Sequence, residues 1–283
     1  MLRLFFIACC VLLLHSCTKE AKVKLPEAKP LPVIYSYICP SDTVIRLKLM
    51  LSSPLFSPNQ INVLDPVSDA DVKISSAQGT AQLIYDNNTG YYELKTNAYP
   101  IVPGQIYKVT VTTINGDVAT AETQVPIASV PINTVSLETI IENYQTSDLI
   151  KVSFTDETGR LNYYRIAARY AYATTFQPDT LGDDTRINEL YSDVNHDGEN
   201  ASVVGRFYLG YDSNVSFSAE YYDVYLYNCS ESYYRFYKSL KNDQGTGISF
   251  PPPGEPSFMY TNVKGGFGCF AAYTSSVFRY KKK

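Results

Sequence analysis

The chain has 283 residues, of which 45% are hydrophobic and 18% charged, with a formal net charge of −4. This describes a globular chain of one or two domains and excludes a disordered one. It also argues against nucleic acid as a partner, because the one basic run, Lys281-Lys282-Lys283, reads as a solvated tail.

Arg3 gives the N-terminus a basic start, Leu4 to Leu14 is continuously apolar, and Leu14-His15-Ser16-Cys17 closes the run. That is the form of a secretory signal. Eleven apolar residues, rising about 1.5 Å each, are too short to cross a hydrocarbon layer roughly 30 Å thick. The Leu-x-Ser-Cys ending is similar to a bacterial lipobox, in which residues 1–16 are removed and Cys17 is acylated. The alternative is an ordinary signal peptide with a chance cysteine. Residues 17–32, charged and proline-rich after Cys17, read as an extended tether. Its residues from Thr18 on reach up to roughly 45 Å at about 3.1 Å each.

Val44 to Leu51 alternates, with Ile45, Leu47, Leu49 and Leu51 on one face and Arg46 and Lys48 on the other, as in a half-buried strand. Val72–Ile74, Ala81–Tyr85 and Tyr91–Thr96 are further strand candidates, the last two joined by a turn at Asp86–Gly90. Tyr107–Thr113 and Val118–Thr123 flank Asn115-Gly116, a strong hairpin signal. Short strands at this spacing predict a first domain over 33–128, an Ig-like or transthyretin-like β-sandwich.

Val125–Pro131 reads as a strap into a second β domain over 129–283. Its strand candidates are Ile132–Glu138, Leu149–Phe154, Asn162–Ala173, Ser202–Leu209, Val215–Glu220 and Asp223–Asn228, with a hairpin turn at Asp156–Gly159 and a loop over Thr174–Thr185. One helix is expected near 231–243: Ser230 can cap it, and Tyr233, Phe236, Tyr237 and Leu240 share one face. Met259–Tyr280 reads as closing strands around Gly265-Gly266-Phe267-Gly268. The expected class is therefore all-β, with two β-sandwich-like domains and one packed helix in the second.

Tyrosine is the outlier, with 25 copies against no tryptophan. Most copies sit in strand-like runs, where the ring packs and the hydroxyl stays wet. Those of the second domain, Tyr221, Tyr222, Tyr225, Tyr227, Tyr233 and Tyr234, are too many for a core alone and suggest an exposed aromatic surface. Six cysteines fall to Cys17, Cys39, Cys229 and Cys269 after cleavage. With Cys17 lipidated, one internal disulfide at most can form, and Cys229 with Cys269, both at strand ends, is the expected pair.

Asp193, Asn195 and Asp197, followed by Gly198, look like the front half of a calcium loop. Position 12 is Val204, where such a loop needs a bidentate Glu, so a polar turn is the preferred reading and no metal is expected. The histidines are His15, inside the signal, and His196, in that turn, and no G-x-S-x-G elbow accompanies them. No P-loop or dinucleotide fingerprint occurs either. No catalytic residue and no cofactor is expected.

The tail Tyr260-Thr261-Asn262-Val263-Lys264-Gly265-Gly266-Phe267-Gly268-Cys269-Phe270-Ala271-Ala272-Tyr273 resembles the closing pattern of the Bacteroidota outer-membrane lipoprotein family known as domain of unknown function 4249, through Asn262, Gly265, Gly266, Gly268, Phe270 and Tyr273. Pro66-Val67 with Asp69-Ala70-Asp71-Val72, Thr89-Gly90-Tyr91-Tyr92 and Gly104-Gln105-Ile106-Tyr107 resemble its earlier steps in the same order. The resemblance implies a lipoprotein anchored in the outer membrane, on its periplasmic or cell-surface face, near TonB-dependent transporters. It brings no catalytic residues. The expected function is non-enzymatic capture of a small ligand, peptide or glycan, or an accessory role beside such a transporter. The alternatives are a structural or adhesive surface protein and an unrecognised enzyme. If Cys17 carries acyl chains worth about 0.8 kcal/mol per buried CH₂, Cys17→Ser releases the protein from membranes. Its persistence in carbonate-washed membranes would refute lipidation.

Overall fold

The computed structural model describes residues 29–52, 66–143, 145–171, 187–211, 221–244 and 259–282. Cys17, the tether up to Ala28, the loop expected over Thr174–Thr185 and the strand expected over Val215–Glu220 lie outside them.

The alternating runs of the first half become β1 (Pro32–Ile38), β2 (Val44–Leu51), β3 (Asp71–Ser76), β4 (Gly79–Asp86), β5 (Tyr91–Lys95), β6 (Ile106–Thr112) and β7 (Val118–Gln124). Period two decides the faces: Ile45, Leu47 and Leu49 of β2 are buried, while Arg46 and Lys48 are half-buried on the opposite side. The two turns read from the sequence join β4 to β5 and β6 to β7, each with a glycine at positive φ, Gly90 at 72° and Gly116 at 81°.

In the second half, β8 (Ile132–Glu142), β9 (Gln145–Thr155) and β12 (Asn200–Tyr211) form a 3-stranded sheet in the order β12-β9-β8. The remaining strands, β10 (Tyr163–Ala171), β11 (Ile187–Ser192), β13 (Tyr221–Cys229) and β14 (Phe267–Lys281), join the first seven in an 11-stranded sheet ordered β11-β10-β13-β14-β1-β2-β5-β4-β3-β6-β7. Three expectations change here. The sequence reading missed β11. The region after Gly265 is one 15-residue strand rather than several. Asp156–Gly159 is no hairpin turn, because β9 and β10 belong to different sheets.

The architecture is all-β and sandwich-like, with one packed helix. A first core, with Ile34, Leu47, Val72, Tyr107 and Val109, lies inside the curl of β1 to β7 and takes in Phe270 and Ala272 of β14. A second, with Val152, Phe154, Tyr164, Tyr222 and Val224, fills the space between the 3-stranded sheet and β10 and β13. The helix α1 (Glu231–Gln244) lays Tyr233 and Phe236 on Cys269, Ala271 and Cys229, with Tyr35, Tyr37, Tyr227 and Tyr273 packed around them. Burial of such side chains, about 1.5–3 kcal/mol each, holds the helix more firmly than its cap, the Ser230 Oγ that accepts the Tyr233 N–H at 3.4 Å.

The two halves share β14. Residues 267–272 pair in parallel with β1, and residues 273–281 pair antiparallel with β13. The expected boundary at 128/129 therefore lies in the strap, whose Ala128 and Val130 carbonyls accept from Thr274 and Ser276 of this same strand. The edge of β14 opposite β1 is closed without a strand. The Asn262 carboxamide accepts the Phe270 N–H at 3.0 Å and donates to the Phe270 carbonyl at 2.7 Å. Ser230 serves Ala272 in the same way, its N–H to the carbonyl at 2.8 Å and its Oγ to the amide at 3.1 Å. At the far end, Asp148 is fully buried and takes Lys282 Nζ at 2.8 Å and the Tyr222 hydroxyl at 2.5 Å. Burial alone would raise this carboxyl; Lys282, Thr139 and Tyr222 overcome it and hold it below the usual range.

The glycines of the closing motif are explained by contact. A Cβ at Gly265 would lie 2.3 Å from the Val118 carbonyl oxygen, at Gly266 2.2 Å from that of Pro32, and at Gly268 1.9 Å from that of Ile34. Gly268 also has φ of 106°. Gly268→Ala combines backbone strain with overpacking against main chain and is expected to cost about 3 kcal/mol or more. The check is the urea midpoint, which should fall with m unchanged; an unaltered midpoint would refute the close approach.

Candidate functional site

Two of the crossovers that carry the chain between the sheets run over 156–162, from β9 to β10, and 193–199, from β11 to β12. Each begins with a buried aspartate, since burying a bend's amide groups requires acceptors nearby. Asp156 takes the Tyr164 hydroxyl at 2.6 Å and the Asn162 Nδ2 at 3.2 Å on one oxygen, and the Gly198 N–H at 2.8 Å on the other. Both Asp193 oxygens take the Asn162 N–H at 3.0 Å. Asp197, exposed, takes the Gly159 N–H at 2.8 Å. The carboxylates of each crossover thus staple the amides of the other.

Oxygens of Asp156, Asp193 and Asp197 lie within 4.8 Å of one another, a spacing that suits a hard cation. The fold joins Asp193 and Asp197 with Asp156, which the sequence reading had used only as a turn residue. The third calcium candidate, Asn195, is exposed and has φ of 69°. Val204 points outward, 50% exposed, and supplies no ligand at position 12. Burial, opposed by the Asn162 N–H and reinforced by the Asp156 charge, raises the Asp193 carboxyl above its ordinary value.

The first crossover is also one wall of a cleft of about 670 Å³ at the junction of the two halves. Arg160, Leu161, Asn162 and Tyr163 form that wall. The end of β7 and the strap, Glu122 to Ile127, form another, and the start of α1 with Tyr260 and Asn262 the third. Two large apolar residues of its lining are open to solvent, Ile127 at 59% exposure and Leu161 at 52%. Tyr163 packs on Tyr234 with ring centroids 4.9 Å apart. Burial raises its hydroxyl and the adjacent Glu231 adds to the effect. Of these lining groups the sequence marks Cys229, Ser230, Tyr260 and Asn262, each for a reason unrelated to a cleft, because the cleft is assembled from segments far apart in the chain.

The tyrosines do not make the expected exposed surface. Tyr222 and Tyr233 are buried; Tyr221, Tyr225, Tyr227 and Tyr234 are half-buried. Tyr225 and Tyr227 do share a face and stack at 5.9 Å. The rings of Tyr227, Tyr233 and Tyr237 surround the Arg165 guanidinium, which lies 4.3 Å from the Tyr237 centroid and donates to the Tyr233 hydroxyl at 2.6 Å. The expected disulfide is not formed: Cys229 and Cys269, like Cys39, are buried free thiols, and burial raises all three. Among the described residues no helix is long and apolar enough to cross a membrane.

The sequence profile of the family described as "Domain of unknown function (DUF4249)" matches residues 18–279. No curated protein is similar in sequence. Among solved structures, a mutant of Salmonella alpha-2-macroglobulin is similar at TM-score 0.24 and 12% identity, over 75% of this chain and 14% of that one. A putative carbohydrate binding protein from Bacteroides uniformis is similar at TM-score 0.22 and 13% identity, over 79% and 94%. Scores this low assign nothing to the present chain.

The raised Asp193 carboxyl has a signed consequence. Its stabilising effect is fully present below the unfolded carboxylate value, about 3.9, and is lost as pH rises through the higher folded value. Asp193→Asn keeps one acceptor for Asn162 and turns a donor towards Asp156. It is expected to stabilise the protein at pH 7 by about 1–2 kcal/mol, with a smaller gain at pH 4. Millimolar Ca²⁺ against chelator should leave the wild-type melting temperature unchanged. A rise of several degrees, abolished by Asp193→Asn, would show that the carboxylates hold a cation.

Proposed function

The chain belongs to the DUF4249 family, and we propose that it is a non-enzymatic capture protein, anchored to the outer membrane through Cys17, that binds its ligand in the cleft between its halves beside a TonB-dependent transporter. The observation that carries this reading is that Ile127 and Leu161, on two separate segments of the cleft lining, are large apolar residues exposed to solvent. Large exposed apolar side chains lining an open cleft suit a partner that covers them.

The geometry of the chain's start supports the orientation. Lys29, at the end of the tether, bonds Asp117 in the β6–β7 turn, and the Leu31 N–H donates to Ser52. The strand directions put this corner at the opposite end of the first half from Gln124 and the cleft. With a lipid on Cys17, the first half stands between membrane and cleft as a spacer. The adhesive alternative needs no ligand at the cleft, and an enzyme would need convergent reactive groups there.

Leu161→Asp replaces one apolar wall at an exposed position, so folding should be little affected. Wild type is expected to retain a member of a mixed pool of hexapeptides and neutral oligosaccharides in saturation-transfer NMR, and Leu161→Asp to weaken that binding about tenfold. Protein drawn from membranes in mild detergent should bring a TonB-dependent transporter with it. Failure of both readouts would favour the adhesive protein.

A further inference from the structure

The cleft is the place where a strand pair comes apart. Thr120 of β7 exchanges backbone hydrogen bonds with Lys264, at 2.9 and 2.8 Å. Continuing that antiparallel pairing would set Asn262 opposite Glu122 and Tyr260 opposite Gln124. The pairing stops because the Asn262 carboxamide is drawn to Phe270 of β14, and only its Nδ2 reaches back, to the Glu122 carbonyl at 3.2 Å. Alternation along β7 turns the N–H and C=O of Glu122 and Gln124 to the same side as those of Thr120, away from β6. The Glu122 and Gln124 amides and the Gln124 carbonyl find no partner among the described residues, and both residues are exposed.

The side-chain amides around the cleft, in contrast, are committed. Asn162 donates to the Glu157 carbonyl, Asn228 to that of Ala128, Gln124 to that of Gly104, and Asn262 to Phe270. Two charged pairs are closed on themselves, Arg160 with Glu157 and Arg235 with Glu231. What remains on offer is a short row of main-chain donors and acceptors, apolar surface on Ile127 and Leu161, and the Glu122 carboxylate, which has no ion-pair partner among the described residues. Main-chain groups spaced along a strand edge suit another main chain far better than the scattered hydroxyls of a sugar.

We infer that the cleft takes an extended polypeptide segment, which adds as a short strand along the Glu122–Gln124 edge of β7 and sets a basic side chain opposite Glu122. This rests on the cleft reading above and names its ligand class. The edge supplies affinity through main-chain hydrogen bonds, while Ile127 and Leu161 meet apolar side chains of the segment and select among sequences.

The test uses the mature full-length chain, a pool of hexapeptides alternating apolar and polar residues with one central Lys, and a pool of neutral oligosaccharides. Peptides are expected to bind. N-methylation of the tightest peptide should weaken it about tenfold at alternate residues and leave it unaffected at the others, since only one register faces the edge. Gln124→Pro removes an outward N–H that the β6–β7 ladder does not use, and should weaken peptide binding by a similar factor at an unchanged melting temperature. Should that variant fold poorly, the N-methyl series still decides. Retention of oligosaccharides alone, or equal tolerance of N-methylation in both registers, would overturn strand addition. If such binding is still lost in Leu161→Asp, the cleft reading survives; if neither pool binds, both readings fall.

Discussion

The parallel contact between β1 and β14 is the constraint on which the rest of the molecule depends. Ile34 sits against Gly268 at a separation that leaves no room for a Cβ, and the same strand then crosses into the second half to pair with β13. Because one strand belongs to both halves, their relative placement is set by main-chain hydrogen bonds and not by a side-chain interface alone. The helix α1, the strap and the Asn262 carboxamide are each fitted to an edge or face of β14. The cleft is a by-product of the same arrangement: it is the gap left when the chain leading into β14 is pulled from β7 towards its new partner.

Buried polar groups take the structural role that a larger core would fill elsewhere. Asp156, Asp193 and Asn162 close the crossovers; Asp148 ties the C-terminal end of β14 to the 3-stranded sheet; Arg165 sits in a ring of tyrosines under the helix. Each is satisfied by several partners, the condition under which burying a polar group is tolerated. This network also accounts for the tyrosine excess. A tyrosine can line a core and still reach a carboxylate or guanidinium at its edge, as Tyr164, Tyr222 and Tyr233 do.

Much of the local structure was legible in the sequence. β2 has the bounds its alternation predicted, the Asn115-Gly116 hairpin forms, and the helix buries the face marked by Tyr233, Phe236 and Tyr237. These features depend on neighbours in the chain, which is why period and turn chemistry reveal them. Pairings between distant segments were not legible. Asp156–Gly159 has turn composition whether it joins two strands of one sheet or carries the chain to another sheet. Asp156 could not be connected with Asp193 without the register of β10 and β11. A surplus of tyrosines over what one core can hold does not require an exposed aromatic surface, because the sheet face beneath the helix takes Tyr227 and Tyr233. The closing glycines were recognised as a pattern, but the reason for them, three carbonyl oxygens of other strands, exists only in the folded chain.

The shared strand also constrains the order of folding. β1 to β7 can pair among themselves by short connections. Their core lacks Phe270 and Ala272, and the free edge of β1 waits for residues near the C-terminus. Completing it closes nearly the whole chain into a loop, a contact of high sequence separation of the kind that slows folding. The first half therefore remains an unfinished sheet with an open edge until β14 is in place, and loss of β14 damages both halves at once.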